Sequence, residues 1–308
     1  MPRRITSKIY ATTATALLLA VVLSSVVLAK DTPKERTQPV AAAAMPFVPS
    51  EELVYEGEFT KMLLRGIDIA ELRFKAFRPG TVAQGTTEGQ TAAPSPLLLT
   101  TDVVSKGFFS KLFGVSFKFH AESQVSPEDF YPLRTTKRDE QGKRLRTSEA
   151  VFNQQAKTVE YTERDPNNAQ QAPRVVTAAL EGPTQDIVSA IYFLRTLPLT
   201  PGQTFQIAIS DSGRVYQVPA SVVVEKKKMK SVLGKVSVVR VDVDLFGPGR
   251  PVEDGKGKMS IWVTNDERRV PVKARLSHDI GTLDITLKSI QRDEPQSQVA
   301  QNVAQSQN

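Results

Sequence analysis

Two histidines, His120 and His278, are all this 308-residue chain offers for imidazole chemistry, and it contains no cysteine. Cysteine-based zinc sites, disulfide frameworks, thiol nucleophiles and iron–sulfur clusters are therefore excluded. His278 precedes Asp279, which invites a Ser-His-Asp reading. Neighbours on a strand face opposite ways, so adjacency works against a relay between them, and no Gly-x-Ser-x-Gly elbow accompanies the pair. His278 is expected to be a surface histidine at a turn, and His120, on the polar side of an alternating run, is expected to be equally inert. Asp242 and Asp244 share a strand face, where paired carboxylates do acid–base work or bind calcium. Two carboxylates fall short of the roughly six to eight oxygens calcium takes, and Arg240 beside them suggests a solvated, charge-balanced face. Residues 247–258 contain Gly255-Lys256, but Gly257 stands where a phosphate-binding loop needs Ser or Thr. The sequence thus predicts no catalytic residue, no metal and no cofactor.

Two clusters suggest binding rather than catalysis. Phe108, Phe109, Leu112 and Phe113 crowd an expected strand junction framed by Lys106 and Lys111. They are expected to fill the core at a bend; the alternative is a lip that meets a membrane or a partner protein. Glu225-Lys226-Lys227-Lys228-Met229-Lys230 carries four lysines in six residues. Such a run protects a sheet edge or hairpin tip, or meets an anionic surface, and the first is the expectation.

Arg3, Arg4 and Lys8 precede an apolar, uncharged run over residues 9–29, the pattern of an export signal; the alternative is an uncleaved inner-membrane anchor. Either way the chain is expected in the periplasm or cell envelope of a bacterium. Loss of residues 1–29 lowers the net charge from +7 by three, to +4, and nucleic acid is not an expected partner. Residues 30–50 are read as a flexible linker, 51–292 as one β-rich domain and 293–308 as a disordered polar tail. Polar stretches at 80–96 and 165–173 are read as surface loops.

Within the domain, period-two alternation dominates. Phe113, Val115, Phe117 and Phe119 share one face, and Val239, Val241, Val243 and Leu245 another; Leu283, Ile285 and Leu287 repeat the pattern. Turn residues Asp211-Ser212-Gly213, Asn265-Asp266-Glu267-Arg268 and Asp279-Ile280-Gly281 separate such runs, as hairpins require. The prediction is an all-β fold: a large curved antiparallel sheet or open β-barrel of about a dozen strands. One amphipathic helix over residues 186–196, capped at Asp186 and stopped by Pro198, is expected to plug or cover it. Its apolar face is expected to be Ile187, Ala190, Ile191 and Leu194.

Asp186, Ser189, Tyr192 and Arg195, followed by Pro198-Leu199 and Gly202, resemble the central signature of a bacterial exported family, domain of unknown function 3108. Ile261-Trp262-Val263-Thr264 with Asp266 and Pro271-Val272 looks like that family's tryptophan strand, and Phe130-Tyr131-Pro132-Leu133-Arg134 resembles an earlier motif. The resemblance covers about residues 51–290, with the two polar stretches as departures. It implies an envelope protein with a curved sheet and no assigned activity. At a spacing of three, the four signature residues run along one helical stripe, where they are expected to pin the helix by hydrogen bonds.

The leading expectation is a non-catalytic envelope protein holding a lipid-like amphiphile in its curved sheet, with Phe117, Phe119 and Trp262 as wall residues. The alternative is a protein-interaction module for envelope assembly. A carboxylate-based hydrolase ranks third.

Overall fold

The computed structural model describes residues 45–61, 64–79, 95–107 and 116–292. The expected export segment, most of the expected linker, residues 80–94, the cluster Phe108, Phe109, Leu112 and Phe113, and the tail lie outside the described residues.

Fifteen strands are described, and their order follows from the alternation. From the N-terminal side come β1 (Glu52–Lys61), β2 (Leu64–Phe77), β3 (Leu97–Ser105), β4 (Phe117–Val125), β5 (Pro132–Gln141), β6 (Arg144–Asn153), β7 (Thr158–Arg164) and β8 (Arg174–Ala179). Then come β9 (Thr184–Asp186), the helix α1 (Ile187–Thr196), β10 (Thr204–Asp211), β11 (Arg214–Ser231), β12 (Gly234–Val243), β13 (Gly257–Thr264), β14 (Pro271–His278) and β15 (Gly281–Gln291). The first eight form a meander in one direction; β10 to β15 form a second that returns until β15 pairs with β1. All pairs are antiparallel except β9 with β10. Those two are joined by α1, the crossover that a parallel pair requires.

The sheet therefore curls into an open barrel whose end strands, β8 and β9, are consecutive in sequence. The ends overlap instead of pairing: β9 lies against β5, and β8 lies against β11. Turn chemistry sets this up. Ser212 and Gly213 join β10 to β11 at φ 51° and 83°, the two positive φ values of a type I′ hairpin. A Cβ on Gly213 would lie 2.8 Å from Val176 of β8, so glycine also permits the overlap. The lateral edge of β8 has no ladder partner among the described residues.

Parity places the core. Leu53, Tyr55 and Phe59 of β1 point inward and are buried, as are Leu72 and Phe74, Leu97 and Leu99, Leu283 and Leu287. Helix α1 sits inside the curl. Val188, Ser189, Ala190, Tyr192, Phe193, Leu194 and Arg195 are all buried, so the helix is enclosed nearly all round rather than amphipathic against one surface. The expected apolar face is corrected accordingly: Ile191 is the residue left exposed, at 36 %. Phe47, expected in a flexible linker, is instead 3 % exposed and packs its ring edge-on to Tyr192 at 4.9 Å. A smaller core of Ala150, Phe152, Val159, Tyr161 and Leu180 joins β6 and β7 to Val215 at the overlap.

The glycine-bearing segment before β13 is a packing element. A Cβ on Gly257 would meet the Phe246 ring at 2.6 Å, and one on Gly255 would meet His278 at 2.1 Å. Gly257→Ala should therefore cost about 1–3 kcal/mol through overpacking, read as a lower urea midpoint at unchanged m-value.

Candidate functional site

Polar groups are brought together along α1 and across the overlap of the sheet ends. At the start of the helix, the carboxylate of Asp186 is saturated. Oδ1 accepts from the amides of Val188 and Ser189 at 2.7 and 2.8 Å, while Oδ2 accepts from Thr135 Oγ1 at 2.7 Å and from Ser123 Oγ. Ser189 Oγ accepts from the Asp186 amide at 2.9 Å, closing a capping box. One side chain thus caps the helix and ties it to β4 and β5.

At the other end, Arg195 is wholly buried. Its guanidinium pairs with Glu51, itself 0 % exposed, and also donates to the carbonyls of Pro46 (3.2 Å) and Arg268 (3.0 Å). It lies 5.1 Å over the Phe47 ring and 5.7 Å over that of Tyr192. Arg292, just past β15, takes the second oxygen of Glu51 from Nε at 2.9 Å. The helix, the chain before β1, the β13–β14 turn and the end of β15 meet at one buried carboxylate.

Tyr192 lies between these ends, 1 % exposed, and its hydroxyl has no partner among the described residues. Burial pushes its pKa well above the ordinary value of 10.0, against the opposing pull of Arg195. Tyr192→Phe removes an unsatisfied group and should leave thermal stability unchanged or raise it by up to about 1 kcal/mol. A large loss of stability would show that the hydroxyl has a partner the geometry misses.

The overlap holds the second polar cluster. Lys137 of β5 forms an ion pair with Asp211 at the end of β10, with side chains 8 % and 6 % exposed. Together with Thr135, Ser148, Tyr161 and Asp186 they line a cavity of about 10 Å³, room for a single water. Burial alone would depress the pKa of Lys137, but the charge and hydrogen bond of Asp211, with Tyr161 and Asp186, outweigh it and the net shift is upward. A lysine held protonated cannot serve as a general base or a nucleophile, so this geometry is a latch between sheet ends.

The other residues singled out by sequence do not converge. His120 Nδ1 sits 2.7 Å from Asp102 on an exposed sheet face. His278 stacks on Phe246 at 5.5 Å, and its Nδ1 accepts from the Ile280 amide at 3.3 Å, while Asp279 accepts from the Lys256 amide. Asp242 meets Ser260, Arg240 and Lys258; burial would raise its pKa, yet these partners hold it below the usual value. Asp244 pairs separately with Arg250 at 3.2 Å. Glu56, Glu58 and Asp68 bring three carboxylates together, but Lys106 and Lys288 already engage Glu56.

Among the expected wall residues, Phe117 and Phe119 share the inward face of β4. Trp262 is buried as well, at 7 % exposed, and belongs to the same continuous hydrophobic core, but on the other face of the sheet. Its register through Lys273 and Thr286 to Glu56 puts it on the outward face, where the Lys227 ammonium lies 5.3 Å over its ring. Sequence reasoning missed Glu51, Lys137, Asp211 and Arg292. The one available signal was parity, since Lys137 shares the inward set of β5 with Thr135 and Asp139.

A family model described as protein of unknown function (DUF3108) matches residues 71–288, a stretch containing the capped helix, Lys137 and Asp211. The chain belongs to the DUF3108 family. Glu51 and Arg292, the two partners at the far end of the helix, flank the DUF3108 stretch on either side. Among solved structures, the chain resembles a beta-barrel-like protein of domain of unknown function DUF1849 from Brucella abortus. The TM-score is 0.53 at 11 % identity, over 80 % of this chain and 99 % of the other. That likeness supports the open-barrel fold of this DUF3108 member. No match was found among curated proteins.

Proposed function

We propose that this DUF3108 chain is a non-catalytic, exported module of the bacterial envelope that takes an extended segment of a partner protein onto the edge of β8. The supporting observation is that edge. Natural sheets guard their ends with lysine, proline, bulges or covering loops, and among the described residues β8, RVVTAA, has none of these after Arg174. Its inner face rests on the β10–β11 turn through Val176, while Val175 is 54 % exposed and Val151, on the same outward face, 45 %. Strand addition at such an edge draws affinity from main-chain hydrogen bonds and specificity from alternate side chains.

The amphiphile reading draws less support. A wall around an acyl chain keeps area open to a water-sized sphere, whereas Phe117 is 2 % and Trp262 7 % exposed, both packed in the core. The basic, apolar N-terminal run supports export by its pattern.

The test begins with a photocrosslinker at Val175 in expressing cells, followed by hydrogen exchange on the purified complex. Slowed exchange of the β8 amides is the expected result. Unchanged β8 exchange in the complex, or a lipid-mass adduct on the chain by native mass spectrometry with no crosslink at 175, would return the carrier reading to first place.

A further inference from the structure

The β11–β12 hairpin outruns its neighbours. β10 pairs only with residues 214–221 of β11, and the ladder from β12 to β13 begins at Val238. Residues 227–237 therefore form a two-stranded arm. It closes at the two-residue turn Val232-Leu233 between Ser231 and Gly234, whose φ of 85° is the left-handed conformation glycine takes without strain.

Register sorts the side chains of the arm. Met229 faces Val236, and both pack with Leu233 against the main core. Lys228 faces Ser237 and Lys230 faces Lys235 on the other side, and all three lysines are exposed. No acidic partner meets Lys228, Lys230 or Lys235 among the described residues. Glu225, near in sequence, is taken by Arg240 at 2.8 Å and Lys227 at 3.6 Å. The adjoining strands behave differently: Lys258, Lys273 and Arg275 each meet Asp242 or Asp284. Two like charges directly opposite across a ladder repel, and an anion lying over both relieves that repulsion. Val232, at the tip between the two lysine-bearing strands, is 50 % exposed.

We propose that this arm docks the protein onto an anionic phospholipid surface. Val232 enters the boundary of the acyl region, while Lys228, Lys230 and Lys235 meet phosphates behind it. An apolar tip with cations set back on both strands matches the depth order of a bilayer interface. An acidic protein surface would answer the lysines but leave Val232 without a role.

The full-length protein is tested by co-sedimentation with vesicles of phosphatidylcholine alone or mixed with phosphatidylglycerol. An apolar run such as residues 9–29 binds either vesicle without regard to charge, so the quantity read is the increment caused by the anionic lipid. That increment should collapse at high salt. It should also fall about 5-fold for each lysine replaced by Gln, or about 100-fold for Lys228→Gln, Lys230→Gln and Lys235→Gln together. Lys230→Glu creates a cross-strand pair with Lys235 and should raise Tm by about 1–2 °C while weakening the increment, which separates lost docking from lost folding. An increment absent in the wild type, or equal in the triple variant, overturns the proposal. So does a crosslinker at position 235 that captures a protein while anionic vesicles give no increment, since the arm is then a protein contact.

Discussion

Arg195→Met should destabilise the protein by about 3–5 kcal/mol, the cost of stranding a buried charge when its partner is removed. The stranded group is Glu51, 0 % exposed and left with Arg292 alone. The same change empties the donor positions serving the carbonyls of Pro46 and Arg268 and takes a cation from over two aromatic rings. Against a total stability of roughly 5–15 kcal/mol, that is a large fraction. At about 2–4 °C per kcal/mol for a chain of this size, Tm should fall by about 6–20 °C. Adding Glu51→Leu should recover part of the loss, because Arg292, 22 % exposed, can turn to water. A Tm within about a degree of wild type would refute the pinning role and make Arg195 a candidate binding residue instead.

The fold was largely legible because its signals are local. Strand alternation needs only side-chain parity, the I′ turn needs Ser212-Gly213, and the helix announces itself through Asp186 and Pro198. The helix face was misjudged for a related reason. A 3.6-residue period reports which side is apolar, and α1 is surrounded, so Ser189, Tyr192 and Arg195 go inward beside Phe193 and Leu194 while Ile191 stays outside. The face that Trp262 takes was not legible because one strand in isolation does not say which of its two faces is concave; only the register through Lys273 to Glu56 does. The ion pairs were hidden by distance in sequence: 144 residues separate Glu51 from Arg195, and 74 separate Lys137 from Asp211. Within the charged run of β5, Lys137 differs from Arg138 only by the face it takes.

These placements assign distinct work to the two ends of α1. The chain builds a ring of strands with one break, between β8 and β9, and the helix that follows the break fills the interior. Asp186 fastens β4 and β5 to the helix start, and Arg195 fastens the first and last parts of the domain to its end. The break itself is held by side chains rather than by a ladder. The lateral edge of β8 is thus left without a ladder partner among the described residues while the rest of the sheet stays fixed.

Lys137→Met should loosen that break. It leaves Asp211 buried with Ser212 Oγ, at 3.1 Å, as its remaining side-chain partner, and the expected cost is about 3 kcal/mol, toward the low end for a broken buried pair because one water fits beside it. Lys137→Met with Asp211→Leu removes both charges and should regain most of this. The pH dependence has a definite sign. Folding raises the pKa of Lys137 above its ordinary 10.5, so the native state holds this proton more tightly than the unfolded chain. The contribution of the pair is therefore complete below pH 10.5 and is lost as pH climbs from there through the native value. Denaturant melts in that alkaline window should show wild type losing stability faster than the double variant, with parallel behaviour below it. Hydrogen exchange joins this to the binding proposal: β8 amides should exchange faster in Lys137→Met and return toward wild-type rates in the double variant. If exchange at β8 is the same in all three while stability changes as expected, the ion pair stabilises the barrel without governing the strand edge, and the edge must be controlled by the Val176–Gly213 contact instead.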